Sequence, residues 1–150
     1  MNKFHFVFDK FKKEKKVINS FLRKYINYSP HACDVIIVLG GDGFMLQTLK
    51  KYKKYNKQFY GLNIGTFGFL MNKFTLNDLN KTIKKTKLVS ISPLEMVAYT
   101  KTNKIFSTFA INEVSLLRQS KQTASLQILV GKNILIKKLI SDGVLVSTPA

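Results

Sequence analysis

The chain contains the stretch Val35-Ile36-Ile37-Val38-Leu39-Gly40-Gly41-Asp42-Gly43-Phe44, which decides its fold. The five apolar residues at its start predict a strand that is buried on both faces. Three glycines follow within four residues, and the helical spacing of apolar residues then resumes from Phe44 to Tyr55. Because a helix N-terminus presents free N–H groups and a favourable dipole, this order predicts a site for anionic oxygens.

Asp42 is the only carboxylate in the glycine loop. Glycines at Gly41 and Gly43 would let the backbone turn sharply and approach a ligand without interference from a Cβ. A carboxylate at the end of a strand, where open α/β sheets bind ligands, could accept a proton from a hydroxyl or hold Mg²⁺. The spacing matches neither a P-loop nor a G-x-G-x-x-G loop. A tight turn capped by Asp42 is the alternative.

The first 85 or so residues alternate between strand and helix patterns. Strands are predicted at Phe4 to Phe8 and Gln58 to Ile64, and a helix with one apolar face at Lys10 to Tyr28. Thr75 is predicted to cap a helix that runs to about Lys85, since Asp78 follows three residues later. This alternation predicts an α/β nucleotide-binding domain.

The pattern changes after Leu88. Strands are favoured near 88–100, 104–112, 124–131 and 133–140, and Gly131-Lys132-Asn133 predicts a hairpin connection. We therefore divide the chain into an α/β nucleotide-binding domain, residues 1–88, and a partial β-rich domain, residues 89–150. About 60 residues are few for an independent β domain, so we expect this one to be incomplete.

Three further motifs carry polar groups. Asn63-Ile64-Gly65-Thr66-Phe67-Gly68-Phe69-Leu70 is a second glycine loop that follows a strand, and it would lie beside the first loop at the same sheet edge. An ordinary loop with both phenylalanines in the core is the alternative. Asn112-Glu113 pairs an amide with a carboxylate, which suits ribose hydroxyls, or it is a strand end that faces water. Asp142-Gly143 is typical of a turn, and Ser147-Thr148-Pro149 after it presents hydroxyls.

Lysines are numerous and dispersed. The net charge of +17 would suit a nucleic acid or a membrane surface. No stripe alternates basic and aromatic residues, however, so we favour a lysine-rich composition with solvated side chains and no specific nucleic-acid partner. The single cysteine, Cys33, and the absence of a long apolar run predict a cytoplasmic protein with no membrane partner.

The four motifs in series resemble the NAD kinase family, also called ATP-NAD or polyphosphate-NAD kinases. The matching residues are Gly40-Gly41-Asp42-Gly43, Asn63-x-Gly65-x-x-Gly68-Phe69-Leu70, Asn112-Glu113, and Asp142-Gly143 leading to Ser147-Thr148-Pro149. Gly-Gly-Asp-Gly alone is shared with diacylglycerol and sphingosine kinases, which are the alternative enzymes. The other motifs favour NAD kinase.

The resemblance implies a Rossmann-like domain followed by a β-sandwich-like domain. It implies transfer of the γ-phosphate of ATP, or of polyphosphate, to the 2′-hydroxyl of the adenosine ribose of NAD, with Asp42 as the catalytic base. Mg²⁺ would accompany the donor without a dedicated metal site in the chain, and the family usually forms dimers or tetramers. The residues that would bind NAD or phosphate by this likeness are Gly41, Gly43, Asn63, Gly65, Phe69, Asn112, Glu113, Asp142, Ser147 and Thr148.

Two departures from the family pattern affect these expectations. Ala150 stands where the family has a Thr or Ser, which removes one polar contact, and the glycine-rich continuation does not follow. We therefore expect the NAD and ATP sites to be incomplete within residues 1–150. The remaining alternative is a non-catalytic, truncated nucleotide-binding fragment.

Overall fold

A computed structural model describes residues 2–9, 15–64, 68–75 and 78–148. The chain divides into two compact units, Met1–Leu88 and Val89–Ala150. We describe each unit separately.

The first unit is built on a four-stranded parallel sheet. Its strands are β1 (Phe4–Phe8), β2 (Val35–Gly40), β3 (Gln58–Asn63) and the short β4 (Asn72–Lys73), and they lie in the order β1-β2-β3-β4. Every residue of β2 is buried. The predicted doubly buried strand is therefore confirmed, because β2 is an inner strand and side chains cover both of its faces.

Helices cover the two faces of this sheet. They are α1 (Lys15–Lys24), α2 (Asp42–Tyr52), which continues as a 3-10 helix (Lys53–Tyr55), and α3 (Leu79–Lys84). On one face, alternate residues of β2 join Phe21 of α1 and Leu79 of α3 in an apolar cluster. On the other face, Ile36 and Val38 pack with Met45 of α2. This alternation follows from the period of two along a strand.

Two predicted helix boundaries are wrong. α1 ends at Lys24 rather than near Tyr28, because Asn27 instead bridges to Phe4 and its Oδ1 accepts a hydrogen bond from Phe6 N at 3.0 Å. The predicted start of α1 at Lys10 lies outside the described residues. α3 is capped by Asp78, whose side chain accepts a bond from Asn80 N at 2.9 Å, and not by Thr75.

The second unit contains three antiparallel strand pairs. β5 (Leu94–Tyr99) pairs with β6 (Ile105–Ala110), β8 (Ala124–Val130) with β9 (Asn133–Ser141), and β7 (Glu113–Leu117) with β10 (Gly143–Ser147). The predicted hairpin between β8 and β9 is confirmed, and Gly131 adopts the left-handed φ of 59° there. Strands β7 and β10 lie outside the predicted strands. Their first residues, Glu113 and Gly143, belong to the motifs Asn112-Glu113 and Asp142-Gly143.

The two units differ sharply in burial. All the buried apolar side chains among the described residues belong to the first unit, whereas apolar side chains of β5 to β10 are largely exposed. None of the described helices is long and apolar enough to cross a membrane.

Candidate functional site

The carboxyl ends of β2 and β3 bring the two glycine loops to one edge of the sheet. Gly40, the last residue of β2, is the register partner of Asn63, the last residue of β3. Ile64 N donates to the carbonyl of Gly40 at 3.1 Å, which extends the ladder into the loops. The two glycine loops therefore begin side by side at the carboxyl ends of β2 and β3, as expected for parallel strands.

Asp42 joins the two loops directly. It is the first residue of α2 and is half-buried. Its Oδ2 accepts a hydrogen bond from Phe69 N at 2.7 Å, and its Oδ1 accepts one from Leu70 N at 3.1 Å. Since a carboxylate oxygen has two acceptor positions, these bonds from the described residues occupy one position on each oxygen.

The glycines of the first loop have different local reasons to be glycine. Gly41 has φ −116° and ψ −178°, an extended conformation open to any residue, and of the described glycines only Gly131 has a positive φ. The first loop therefore turns without a left-handed glycine conformation at Gly41 or Gly43. A Cβ on Gly40 would lie 2.7 Å from Cδ1 of Phe44, whereas a Cβ on Gly43 would meet no atom within 4 Å. Gly43 thus leaves open space at the start of α2.

Phe69 lies in the second loop with its ring fully exposed. The alternative that this ring packs into the core is therefore wrong for Phe69, while Phe67 and the predicted binding residue Gly65 lie outside the described residues. An exposed aromatic face beside Asp42 is suited to contact a flat ring. Asn63, half-buried at the end of β3, lies on the same edge.

Four of the predicted residues of the second unit meet at one end of the β7–β10 pair. Glu113 is the register partner of Ser147, and Thr148 N donates to the carbonyl of Asn112 at 2.9 Å. The Thr148 hydroxyl lies 3.3 Å from the carbonyl of Ile111 and 3.2 Å from that of Asn112. The side chains of Asn112, Glu113 and Ser147 remain exposed. Residues of two separate sequence motifs therefore form one cluster, in which Thr148 hydrogen-bonds to the backbone of Asn112.

Asp142 lies at the other end of the same strand pair. Its carboxylate binds Arg118, with Nε 2.5 Å from Oδ1, and its carbonyl accepts from Arg118 N at 2.9 Å. The four steps from Glu113 to Leu117 separate this end from the first by about 14 Å, at about 3.4 Å per residue. Asp142 and Asn112-Glu113 thus lie at opposite ends of the strand pair.

The sequence alone does not predict two groups that bind the candidate carboxylates, the Arg118 side chain on Asp142 and the Leu70 N–H on Asp42. Arg118 could not be assigned to Asp142 without the register of β7 against β10, in which Gly143 faces Leu117. The Leu70 N–H could not be distinguished from other backbone groups of its loop. Only its position, two residues after Gly68 in a glycine loop, was available as a signal.

The Asp-Gly pair at 142–143 is not a hairpin turn. β9 pairs with β8, whereas β10 pairs with β7, so the chain passes from one strand pair to another at Asp142. A Cβ on Gly143 would collide with the carbonyl oxygen of Leu116. Gly143 is therefore required by the close approach of β7 rather than by a turn.

Burial shifts the pKa of two side chains in the core of the first unit. Burial raises the pKa of the Cys33 thiol, against an opposing effect of Lys57. Burial also raises the pKa of the Tyr60 phenol. In the described part of the chain, no group of three or more His, Cys, Asp or Glu side chains could hold a metal ion.

The sequence matches a family model. Residues 2–87 match the model described as the ATP-NAD kinase N-terminal domain, which is more than half of the chain and includes both glycine loops. The chain belongs to the NAD kinase family.

Curated relatives agree with this assignment to the NAD kinase family. The chain is 42% identical to an NAD kinase of Hyphomonas neptunium over 135 residues, which are 90% of the chain and 53% of that protein. It is 39% identical to an NAD kinase of Brucella suis over 146 residues, 97% of the chain and 57% of that protein. The chain thus spans about half the length of the curated relatives it matches.

Solved structures of NAD kinase-type proteins share the fold. Yeast NADH kinase, solved in complex with NADH, aligns with a TM-score of 0.70 at 16% identity, covering 98% of the chain and 57% of that protein. An NAD kinase from Archaeoglobus fulgidus, solved in complex with ATP, aligns with a TM-score of 0.65 at 21% identity, covering 97% and 60%. The predicted combination of a parallel α/β part and a β-rich part is confirmed.

Proposed function

We propose that this chain forms the nucleotide-binding part of an NAD kinase, which transfers the γ-phosphate of ATP or a phosphate of polyphosphate to NAD. The observation that carries the proposal is the position of Asp42, in a chain of this family, at the carboxyl edge of the sheet with both oxygens fixed by Phe69 N and Leu70 N. The product is NADP.

Asp42 acts as the general base. An Oδ atom takes the proton of the ribose 2′-hydroxyl as that oxygen forms a bond to the γ-phosphorus, and the bond from this phosphorus to ADP breaks. Each Asp42 oxygen has a second acceptor position besides the one that its backbone bond occupies. A base of this kind contributes about 10²- to 10⁴-fold to the rate.

The start of α2 binds phosphate oxygens. No side chain caps this helix at Gly41, so its first N–H groups are available to an anion. The open space at Gly43 allows a phosphate to approach the backbone closely. Mg²⁺, bound to the donor, would neutralise phosphate charge there.

The second loop and the second unit bind the nucleoside parts of NAD. We assign the exposed ring of Phe69 and the amide of Asn63 to NAD binding, and Gly65, which lies outside the described residues, on family resemblance alone. Asn112 and Glu113 bind ribose hydroxyls, with Ser147 beside them and Thr148 holding their backbone. Asp142, oriented by Arg118, binds the nicotinamide carboxamide.

Assembly and location complete the proposal. A dimer or tetramer is proposed on family resemblance. A cytoplasmic location is supported by the free, buried thiol of Cys33, which suits a reducing compartment.

The test is formation of NADP from NAD, ATP and Mg²⁺. Because the chain spans 57% of the Brucella suis relative, the assay uses both the chain alone and a chimera in which the chain replaces the matched segment of that relative. We expect the chimera to form NADP. A folded chimera that binds NAD and ATP but forms no NADP would contradict the proposal.

Asp34 provides a matched control for Asp42. Asp34 lies just before the amino end of β2 and accepts a bond from Lys3 N at 2.7 Å, so Asp34→Asn makes the same chemical change away from the carboxyl edge. We expect Asp34→Asn to keep NADP formation and Asp42→Asn to lose it. Turnover of diacylglycerol or a sphingoid base, with indifference to NAD, would instead support a lipid kinase.

A further inference from the structure

Gly68 lies against the carboxylate of Asp42. A Cβ built on Gly68 would be 2.5 Å from Oδ1 and 3.2 Å from Cγ of Asp42. We propose that Gly68 is a positioning residue, whose missing side chain allows the Asp42 carboxylate to occupy its place between the two glycine loops. This inference rests on the proposed function of Asp42 as a base.

Three consecutive residues define the position of the carboxylate. Phe69 N holds Oδ2 and Leu70 N holds Oδ1, while the space beside Gly68 admits Oδ1. Two bonds to different oxygens fix the plane of the carboxylate as well as its distance from the loop. A methyl group at residue 68 would displace Oδ1, the oxygen held by Leu70 N, since atoms in a packed contact cannot overlap.

The backbone at Gly68 does not itself require glycine. Among the described glycines only Gly131 has a positive φ, so an alanine at residue 68 can adopt the same backbone conformation. The obstacle is the Asp42 side chain, with Cγ of Met71 a lesser one at 3.3 Å. The fold should therefore survive Gly68→Ala, while the carboxylate moves.

Gly61 offers a matched control in the same unit. A Cβ there would lie 2.5 Å from Sδ of Met71 and 2.6 Å from Cε of Met45. Both atoms are near the flexible ends of methionine side chains, which can rotate away. Gly61→Ala thus introduces a comparable overlap without touching Asp42.

The same geometry limits what Asp42→Asn can show. An asparagine side chain has a single acceptor oxygen, so it cannot keep the arrangement in which Phe69 N and Leu70 N bond to two different oxygens. The substitution therefore removes the base and also disturbs the bonds to the loop. A variant that moves the carboxylate without neutralising it is needed to separate the two effects, and Gly68→Ala is that variant.

The first experiment is NMR spectroscopy of the whole chain and does not depend on activity. We expect the amide protons of Phe69 and Leu70 in the native protein to show the downfield shifts of N–H groups bonded to a carboxylate, and these shifts to change in Asp42→Asn. In Gly68→Ala the downfield shift of Leu70 should be lost, whereas Gly61→Ala should retain it. Native amide shifts of β2 verify that each variant is folded.

The second experiment is a double-mutant cycle on NADP formation by the chimera. Gly68→Ala should lower kcat about 100-fold, the size expected for a displacement of about 1 Å, with KM for NAD changed less than about threefold. In the Asp42→Asn background, Gly68→Ala should add little, because both changes act through one carboxylate. Gly61→Ala should retain native kcat.

Several results would overturn the positioning role. They are Leu70 and Phe69 amide shifts in Gly68→Ala that match those of the native protein, native amide shifts that Asp42→Asn leaves unchanged, additive effects in the cycle, or an unfolded Gly68→Ala variant. If no NADP is formed by any variant, the proposed function fails, while the NMR result still decides whether Gly68 positions Asp42.

Discussion

Neighbouring glycines in the first loop serve different purposes at the scale of single residues. A side chain at residue 40 would overlap its neighbours, because a Cβ on Gly40 would lie 2.7 Å from Cδ1 of Phe44 and 3.2 Å from Cβ of Asp9. A Cβ on Gly43 would meet no atom of the described residues within 4 Å. This difference between the two glycines gives a direct test of whether residue 43 is kept free of a side chain for a ligand.

Gly43→Ala should raise stability and lower activity. Alanine is favoured over glycine inside a helix by about 1 kcal/mol, and the substituted methyl group meets open space. The same methyl group would obstruct a phosphate at the backbone, so KM for ATP should rise. Urea unfolding and steady-state kinetics measure the two effects.

Gly40→Ala is the matched comparison. It should destabilise the fold by about 1–3 kcal/mol through overpacking against Phe44. Equal stability changes for Gly40→Ala and Gly43→Ala would contradict this interpretation of the loop.

Cys33 gives a prediction about pH. Burial raises the pKa of its thiol above the ordinary value of 9.0, so the folded state holds the proton more tightly than the unfolded state. The resulting stability is fully present below the ordinary pKa and is lost as pH rises through the raised one. The stability difference between the native protein and Cys33→Ala should thus shrink above about pH 9, by at most about 1.4 kcal/mol per pH unit. Urea unfolding from pH 8 to 11 measures it, and a constant difference would contradict the prediction.

The β7–β10 pair organises the second unit at the scale of elements. It gathers Asn112, Glu113, Ser147 and Thr148 at one end and places Arg118 and Asp142 at the other. The pairing depends on the close approach of Gly143 to the backbone of Leu116 and Leu117. The geometry of the cluster therefore depends on a glycine at the opposite end.

Gly143→Ala should open this strand pair. Its Cβ would collide with a backbone oxygen that cannot rotate away, so the ladder should separate from that end. We expect faster amide exchange at residues 114–117 and 144–146 and weaker NAD binding, with exchange in β2 unchanged. Native exchange rates in the β7–β10 ladder would contradict the prediction.

Local patterns predicted the elements better than their ends and pairings. The five apolar residues of β2 and the Gly131 turn are local signals, and both predictions are confirmed. The end of α1 depends on Asn27 binding Phe6 N, and the cap of α3 is taken by Asp78. These interactions are made with another strand or by a competing cap, so spacing alone could not reveal them.

In the candidate site, too, the sequence predicts the residues better than the contacts between them. The residues of the two glycine loops were recognisable as motifs, and their common edge follows from parallel strands. The bonds from Phe69 N and Leu70 N to Asp42 depend on how the second loop folds back. The Arg118–Asp142 pair depends on a register between strands more than twenty residues apart.

Burial is unevenly distributed at the scale of the whole molecule. The first unit holds all the buried apolar side chains of the described residues, with β2 at its centre. Strand β9 in the second unit exposes Ile134, Leu135 and Ile140. Since burial of apolar area is the main stabilising contribution, the two units should differ in local stability.

Hydrogen exchange should reveal this difference. We expect amides of β2 to exchange only through global unfolding and those of β8 and β9 to exchange much faster, by local opening. Exchange measured by mass spectrometry on the whole chain makes the comparison. Equal protection of β2 and β9 would contradict this assignment of stability.

The most direct test of the central claim is kcat for NADP formation at saturating NAD and ATP, compared between the native chimera and its Asp42→Asn variant. The account predicts a loss of at least about 100-fold in Asp42→Asn, with Asp34→Asn unchanged. An Asp42→Asn variant with native kcat would contradict it.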